Sequence, residues 1–485
     1  MLAARTVHEG SRPSRPAIGR SLPSLSLLLL AVFALALAAA GGASMADVAG
    51  QPVIRAIATL CIVLAVLFGP RPRIRSFAGP VILLAAAILL VILELVPLPP
   101  SVWLALPGRA LFAEAAELAR AAQPWRPLAI VPSGALNALG GLLVPLAMVV
   151  LVATLRDDER RLLPTGVLAF IMLAALVGFV QTTGASFDNP LINDAPGEAT
   201  GVFANRNHFA LLMAIGCLLA PVWACLQPHR AGVGWRAPLA LGLVMTFILL
   251  ILISGSRAGL FLSALGGVAG VLLALGRIRL AMARFPSWAL PVLLLVAIGT
   301  ACSLIFLSFN IGRAFGIDRL LTENAADDLR VGAAPTVVKM IYLYFPFGIG
   351  AGGFDPLFRL NEPFSLLRVN YFNHAHNDFL ETLLEHGLGG LLLLIAAAGW
   401  WLWRTAKAWL KDDGANGLLA RAGSAVVLLI AIASAVDYPA RTPIIMAMLV
   451  IAGAWLGARD GATGGHARRQ RAPTRATRGT LRASS

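Results

Sequence analysis

Residues 238–253 read Pro238-Leu239-Ala240-Leu241-Gly242-Leu243-Val244-Met245-Thr246-Phe247-Ile248-Leu249-Leu250-Ile251-Leu252-Ile253, with no charge anywhere in the run. After Ser254-Gly255-Ser256-Arg257 a second apolar run begins and continues to residue 275. A membrane-crossing helix needs roughly 20 mostly apolar residues, with about 17–25 tolerated. Four polar residues between two such runs leave room only for a tight turn, so the pair reads as consecutive spans. The whole chain shares this character: of 485 residues, 58% are apolar and 13% charged, and the mean hydropathy is +0.80. Soluble domains are about half apolar and roughly a quarter charged, and one core cannot hide the excess. Soluble, fibrous and disordered classes are excluded, leaving an all-α polytopic membrane protein.

Twelve spans are expected, at 21–40, 53–68, 80–96, 134–154, 163–182, 203–225, 238–253, 258–275, 288–309, 379–403, 420–436 and 443–457. The first has the basic flank and apolar centre of a signal peptide, but with eleven spans behind it an uncleaved anchor is expected. With the N-terminus inside, most of the 39 Lys and Arg fall on inside segments, the asymmetry expected of cytoplasmic loops. The formal charge of +15 is therefore a topology signal and not a nucleic-acid signal. The expected organisation is a cytoplasmic tail at 1–20, a membrane domain at 21–457 and a disordered basic cytoplasmic tail at 458–485. Both termini are expected inside a bacterial inner membrane. Two outside segments are long. Residues 97–133 open with Pro97, Pro99 and Pro100 and carry a helical stretch at 111–118 that suits the interface; residues 310–378 form one large outer loop. Cys61, Cys217, Cys225 and Cys302 lie in apolar runs, where a thiol behaves as a small hydrophobe; no disulfide or metal is expected.

Polar groups at a bilayer are costly, and this topology puts every large polar cluster on the outer side. Gly201-Val202-Phe203-Ala204-Asn205-Arg206-Asn207-His208-Phe209, at a helix entry, reads either as a cap or as an anion site. Ser254-Gly255-Ser256-Arg257 reads as a phosphate site or as a snorkelling Arg. Asp327-Asp328-Leu329-Arg330 leads into an amphipathic stretch and then Pro346-Phe347-Gly348-Ile349-Gly350-Ala351-Gly352-Gly353, a tight turn and not a nucleotide loop, since no βαβ context exists. Asn373-His374-Ala375-His376-Asn377-Asp378 opens the tenth span. Its HxH pair lacks the further ligands that zinc requires. In the last outer turn, Asp437 either pairs with Arg441 or holds another Arg or a His. The polar residues are expected to gather at one face, with only Glu94 within a span.

These residues carry a resemblance. His376-Asn377, nine residues, Gly387, two residues and Gly390 match the histidine–amide…Gly…Gly pattern of bacterial O-antigen ligases. The Ala-Asn-Arg-Asn-His segment, the Ser-Arg turn, Arg330, the Pro-Phe-Gly-Ile-Gly turn and the Asp-Tyr-Pro turn follow in that superfamily's order. The likeness runs over residues 200–443, and the chain resembles the O-antigen ligase/polymerase superfamily. That resemblance implies a GT-C-like membrane glycosyltransferase of about twelve helices with one large periplasmic loop. It implies no cofactor or metal, an undecaprenyl-pyrophosphate-linked glycan as donor, and lipid A–core or a growing glycan as acceptor. Ala334-Pro335 departs from the aromatic residue common in relatives.

In such chemistry the pyrophosphate leaves with its charge stabilised, and the acceptor hydroxyl loses a proton as it attacks. Arginine stays cationic and binds phosphate oxygens bidentately, a role expected of Arg257 and Arg330 first and of Arg206 and Arg441 second. An imidazole titrates near neutrality, at about 6.5 in model peptides. His376 is the expected base, with His374 second and Asn377 orienting the base or the sugar. Asn205, Asn207, His208, Ser256 and Asp437 are expected in support. The rival class is a twelve-helix transporter or flippase for an envelope precursor, but transporters place polar groups at the bilayer midplane on broken helices.

Overall fold

A computed structural model describes residues 22–183, 189–192, 198–226, 235–282, 329–367, 372–411 and 415–458, with 286, 288, 295 and 299. Among the described residues the chain is mostly helical. Eight helices are long and apolar enough to cross a membrane, and Leu25–Ala40, Ala78–Glu94 and Pro443–Gly457 are shorter apolar helices. The chain is a multi-pass membrane protein. Eleven of the twelve expected segments coincide with these helices; the remaining one, 288–309, lies outside the described residues except for 288, 295 and 299, as do the loop as far as residue 328 and the tails at 1–20 and 459–485. One departure from all-α is a two-residue antiparallel pair, with Pro97 opposite Pro127 and Leu98 opposite Arg126. It closes the 97–133 excursion, which also holds the helix Ala110–Leu118. Arg55 also lies within a spanning helix, Gly50–Phe68. Near that helix's start it donates to Gln51 Oε1 at 3.0 Å, a bond that partly compensates a charge a spanning helix would otherwise carry bare, so Glu94 is not alone among polar residues within a span.

The helix Arg206–Cys225 is the centre of the bundle, with 83% of its apolar window buried. It packs chiefly against Arg257–Met282 and Arg236–Ser254, and less against Leu163–Thr182 and Ala415–Ser434. Lipid tails are as apolar as leucine, so helix association here rests on close packing and not on escape from water. Small residues supply it: a Cβ at Gly266 or Gly270 would lie 2.7 Å from the Ala214 or Leu218 carbonyl oxygen. At the far end of the bundle, Glu159 accepts from Ser24 N at 2.8 Å and Ser24 Oγ at 2.7 Å and pairs with Arg156 at 2.7 Å. Burial opposes its charge, yet these bonds prevail and hold its pKa at about 2. The described cysteines Cys61, Cys217 and Cys225 are free; Cys302 lies outside the described residues.

Helix ends and turns from four stretches meet at the other end of the bundle: the start of Arg206–Cys225, the Ser254–Arg257 turn, the start of Asp378–Lys411 and the turn between Ser434 and Pro443. The sequence sets each boundary. Asn205 caps its helix by accepting from Asn207 N at 2.8 Å, the usual use of an amide at that position. Gly255 closes its helix at φ +66°, and Asn377 Oδ1 accepts from Phe379 N and Leu380 N at 3.0 Å.

Candidate functional site

Asp437 is the hub. It is 3% exposed, and its carboxylate accepts from Asn207 Nδ2 at 2.8 Å and Asn205 Nδ2 at 3.3 Å. It meets His376 Nδ1 at 3.2 Å and His208 Nε2 at 3.8 Å. Asn207 in turn accepts from Ser256 Oγ at 2.8 Å, which ties in the turn bearing Arg257. Tyr438 follows the hub, and its ring lies 4.5, 4.8 and 5.1 Å from those of His374, His376 and His208. His376 has φ +52°, a left-handed conformation uncommon for a side chain of this size and found where packing over-determines it. A carboxylate on Nδ1 fixes an imidazole's tautomer and leaves Nε2 for chemistry.

A second charged group lies behind the first. Arg441 extends into the start of Asp378–Lys411 and pairs with Glu385 at 2.9 Å, Glu381 at 3.2 Å and Asp378 at 3.5 Å. Burial works against its charge, but three carboxylates outweigh burial and raise its pKa. Glu381 also meets His374 Nδ1 at 2.8 Å and accepts from Ala375 N at 2.7 Å. His374 Nε2 is buried and has no hydrogen-bond partner among the described residues. Ser434 Oγ and Ala440 N donate to Asp378 Oδ2 at 2.7 and 3.1 Å.

A helix break presents these carboxylates. Gly387, at φ +54° and ψ −130°, interrupts Asp378–Lys411 and frees the carbonyls of Leu384 and Glu385. The glycine turn at 346–353 takes them up, Ile349 N at 3.1 Å and Gly350 N at 2.8 Å, while Leu388 N donates to Pro346 O at 2.8 Å. Gly348 is at φ +78°, and a Cβ there would overlap the Glu385 carbonyl oxygen. Arg109 holds the turn from its far side, donating to Leu128 O at 2.9 Å and Gly348 O at 3.3 Å. Burial lowers the Arg109 pKa to about 10.

Of the residues expected from sequence, Asn205, Asn207, His208, Ser256, His376 and Asp437 converge, and His374 stacks beside them through Tyr438. Asn377 lies next to them as a cap, its Nδ2 donating to Ala435 O at 2.9 Å. Arg257 is exposed at the start of its helix, one residue from Ser256. The side chain of Arg330 lies outside the described residues, although its backbone opens the helix Leu329–Tyr344. Arg441 is engaged by three buried carboxylates, with its side chain 21% exposed. Of the two alternatives for Asp437, the fold takes the second: it holds histidines, together with two amides. Arg206 is paired with Glu198 at 3.3 Å. Sequence reasoning missed Tyr438, Glu381, Glu385 and Asp378 as site residues. The acids stand at 378, 381 and 385, a spacing that puts them on one helical face and was the available signal.

Residues 241–395 match the family model described as O-Antigen ligase. The match bears out the resemblance to the O-antigen ligase/polymerase superfamily. No curated protein matches the chain. The matched residues include Ser256, Arg257, His374, His376 and the carboxylates around Arg441. Asn205, Asn207, His208, Asp437, Tyr438 and Arg441 itself lie outside them.

Proposed function

We propose that the chain transfers a glycan from a lipid pyrophosphate carrier, of the undecaprenyl type, to an acceptor hydroxyl at the periplasmic face of the inner membrane. The family match supports glycan transfer in envelope polysaccharide synthesis. The observation that carries the finer reading is the convergence on Asp437 of His376, His208 and two amides, one serine hydroxyl away from Arg257. His376 Nε2 takes the proton of the acceptor hydroxyl as its oxygen attacks the anomeric carbon. The bond from that carbon to the pyrophosphate oxygen breaks, and the electron pair leaves with the pyrophosphate. Arg257 and Arg330 bear the growing charge on the phosphate oxygens. Attack opposite the leaving group inverts the anomeric centre, and no metal takes part. The acceptor is lipid A–core in a ligase or another carrier-linked chain in a polymerase.

General-base catalysis contributes typically about 10²–10⁴-fold. His376→Ala protein, reconstituted with carrier-linked glycan and acceptor, is expected to lose transfer by about that factor while inserting and folding normally. Full transfer by that variant refutes the base role. The transporter reading calls for polar groups at the bilayer midplane, whereas those here gather at one end of the bundle. Uptake of a precursor by liposomes containing the pure protein, without transfer, would establish that rival.

A further inference from the structure

Glu94 ends the helix Ala78–Glu94, outside the matched region, and is 3% exposed. A buried carboxylate is costly unless fully paired. The two oxygens of Glu94 are divided between two different elements. Oε1 meets His386 Nδ1 at 2.6 Å, and Oε2 accepts from Ala351 N at 2.9 Å. The Glu94 carbonyl takes Ala129 N–H at 2.9 Å, and Ile130 N donates to Ile349 O at 2.9 Å. His386 is the last residue before the break at Gly387, and Ala351 belongs to the glycine turn that docks into that break. Glu94 therefore grips both halves of one joint.

The joint controls the site because residues 378–386 act as a short rod, about 13 Å long at 1.5 Å per residue. One end is pinned by Asp378 on Ser434 and Ala440; Glu381 reaches His374 and Arg441 from one face; the other end is His386. Past Gly387 the helical ladder is interrupted, so the rod's second end is held by the turn and by Glu94. We infer that Glu94 is a positioning residue: it sets the register of this rod against the turn, and through it the place where Glu381 presents His374 beneath Tyr438. The kinetic part of the inference rests on the transfer reading above; the geometric part does not.

The test uses full-length protein in proteoliposomes, with Glu94→Gln, His386→Gln and the double variant. Glutamine keeps an acceptor for Ala351 N–H but removes the charge that faces His386. Two readouts are taken: kcat and KM for a carrier-linked glycan, and the rate at which diethylpyrocarbonate modifies His374 and His376, followed by mass spectrometry. Each single variant is expected to lower kcat by up to about 10²-fold, the cost of displacing a reacting group by about 1 Å, with KM unchanged. The double variant is expected to match the singles, and His374 to be modified several-fold faster than in the parent. A parent-like kcat and labelling rate in Glu94→Gln overturns the inference, as does full additivity in the double variant. If Glu94→Gln is not recovered folded, His386→Gln alone decides by the same readouts. If the parent transfers no glycan, the transfer reading falls, and the labelling rates still judge the positioning.

Discussion

Replacing Gly387 by alanine tests whether the helix break is a built part of the site. At φ +54° and ψ −130° an L-residue pays about 1–3 kcal/mol in backbone strain. The added Cβ would also overlap the Pro346 carbonyl oxygen, so the turn must move. Moving it strains three backbone hydrogen bonds, Leu388 to Pro346, Ile349 to Leu384 and Gly350 to Glu385. A net hydrogen bond contributes about 0.5–1.5 kcal/mol, so losing two or three adds roughly 2–3 kcal/mol. The expected total, about 3–6 kcal/mol, compares with a typical whole-domain stability of about 5–15 kcal/mol. Thermal unfolding followed by tryptophan fluorescence in detergent, alongside transfer rates, reads the effect. Gly166→Ala is the control: it lies within the helix Leu163–Thr182 with nothing within 4 Å of a new Cβ, and it should gain about 0.5–1 kcal/mol. A Gly387→Ala protein that unfolds with the parent and transfers at the parent rate refutes the reasoning.

Three further outcomes are expected. Arg441→Ala strands three buried carboxylates, and breaking such a group by removing one partner costs about 3–5 kcal/mol; the yield of folded protein in size-exclusion chromatography reports it. Glu159 has a folded pKa of about 2 against an ordinary 4.5, so its contribution is complete above pH 4.5 and is lost as the pH falls toward 2; a Glu159→Gln protein should show a flatter loss of unfolding temperature across that window. Transfer should persist in excess chelator, because among the described residues no three His, Cys, Asp or Glu side chains are grouped so as to hold a metal ion; abolition by chelator, with recovery on adding a divalent metal, contradicts this.

The membrane helices were legible because hydropathy is local: a run such as 238–253 declares itself without reference to the rest of the chain. The polar cluster was legible for a related reason, since alternating helix direction carries Asn205, Ser256, His376 and Asp437 to one end of the bundle. Pairing was not legible. Asp437 and Arg441 stand one helical turn apart in sequence, so the chain offered Asp437 both that partner and a histidine, and only the fold selects the histidine. The Arg441 partners lie on a helix more than fifty residues earlier, and only their common face at 378, 381 and 385 pointed to a shared cation. Gly387 was visible as a motif position, but its backbone angles depend on a turn some forty residues upstream. Pro97 and Pro127 hid the small strand pair, because proline cannot donate to a ladder and argues against strands.

Asp437 and His208 sit outside the matched stretch while His376, which Asp437 also holds, sits inside. Anyone building hybrids of this protein with a relative should expect a cut at residue 241 or 395 to separate an imidazole from its carboxylate. A graft that is to keep this cluster intact must carry the pieces around 94–131, 200–209 and 434–442 together with residues 346–390, as one transplanted unit.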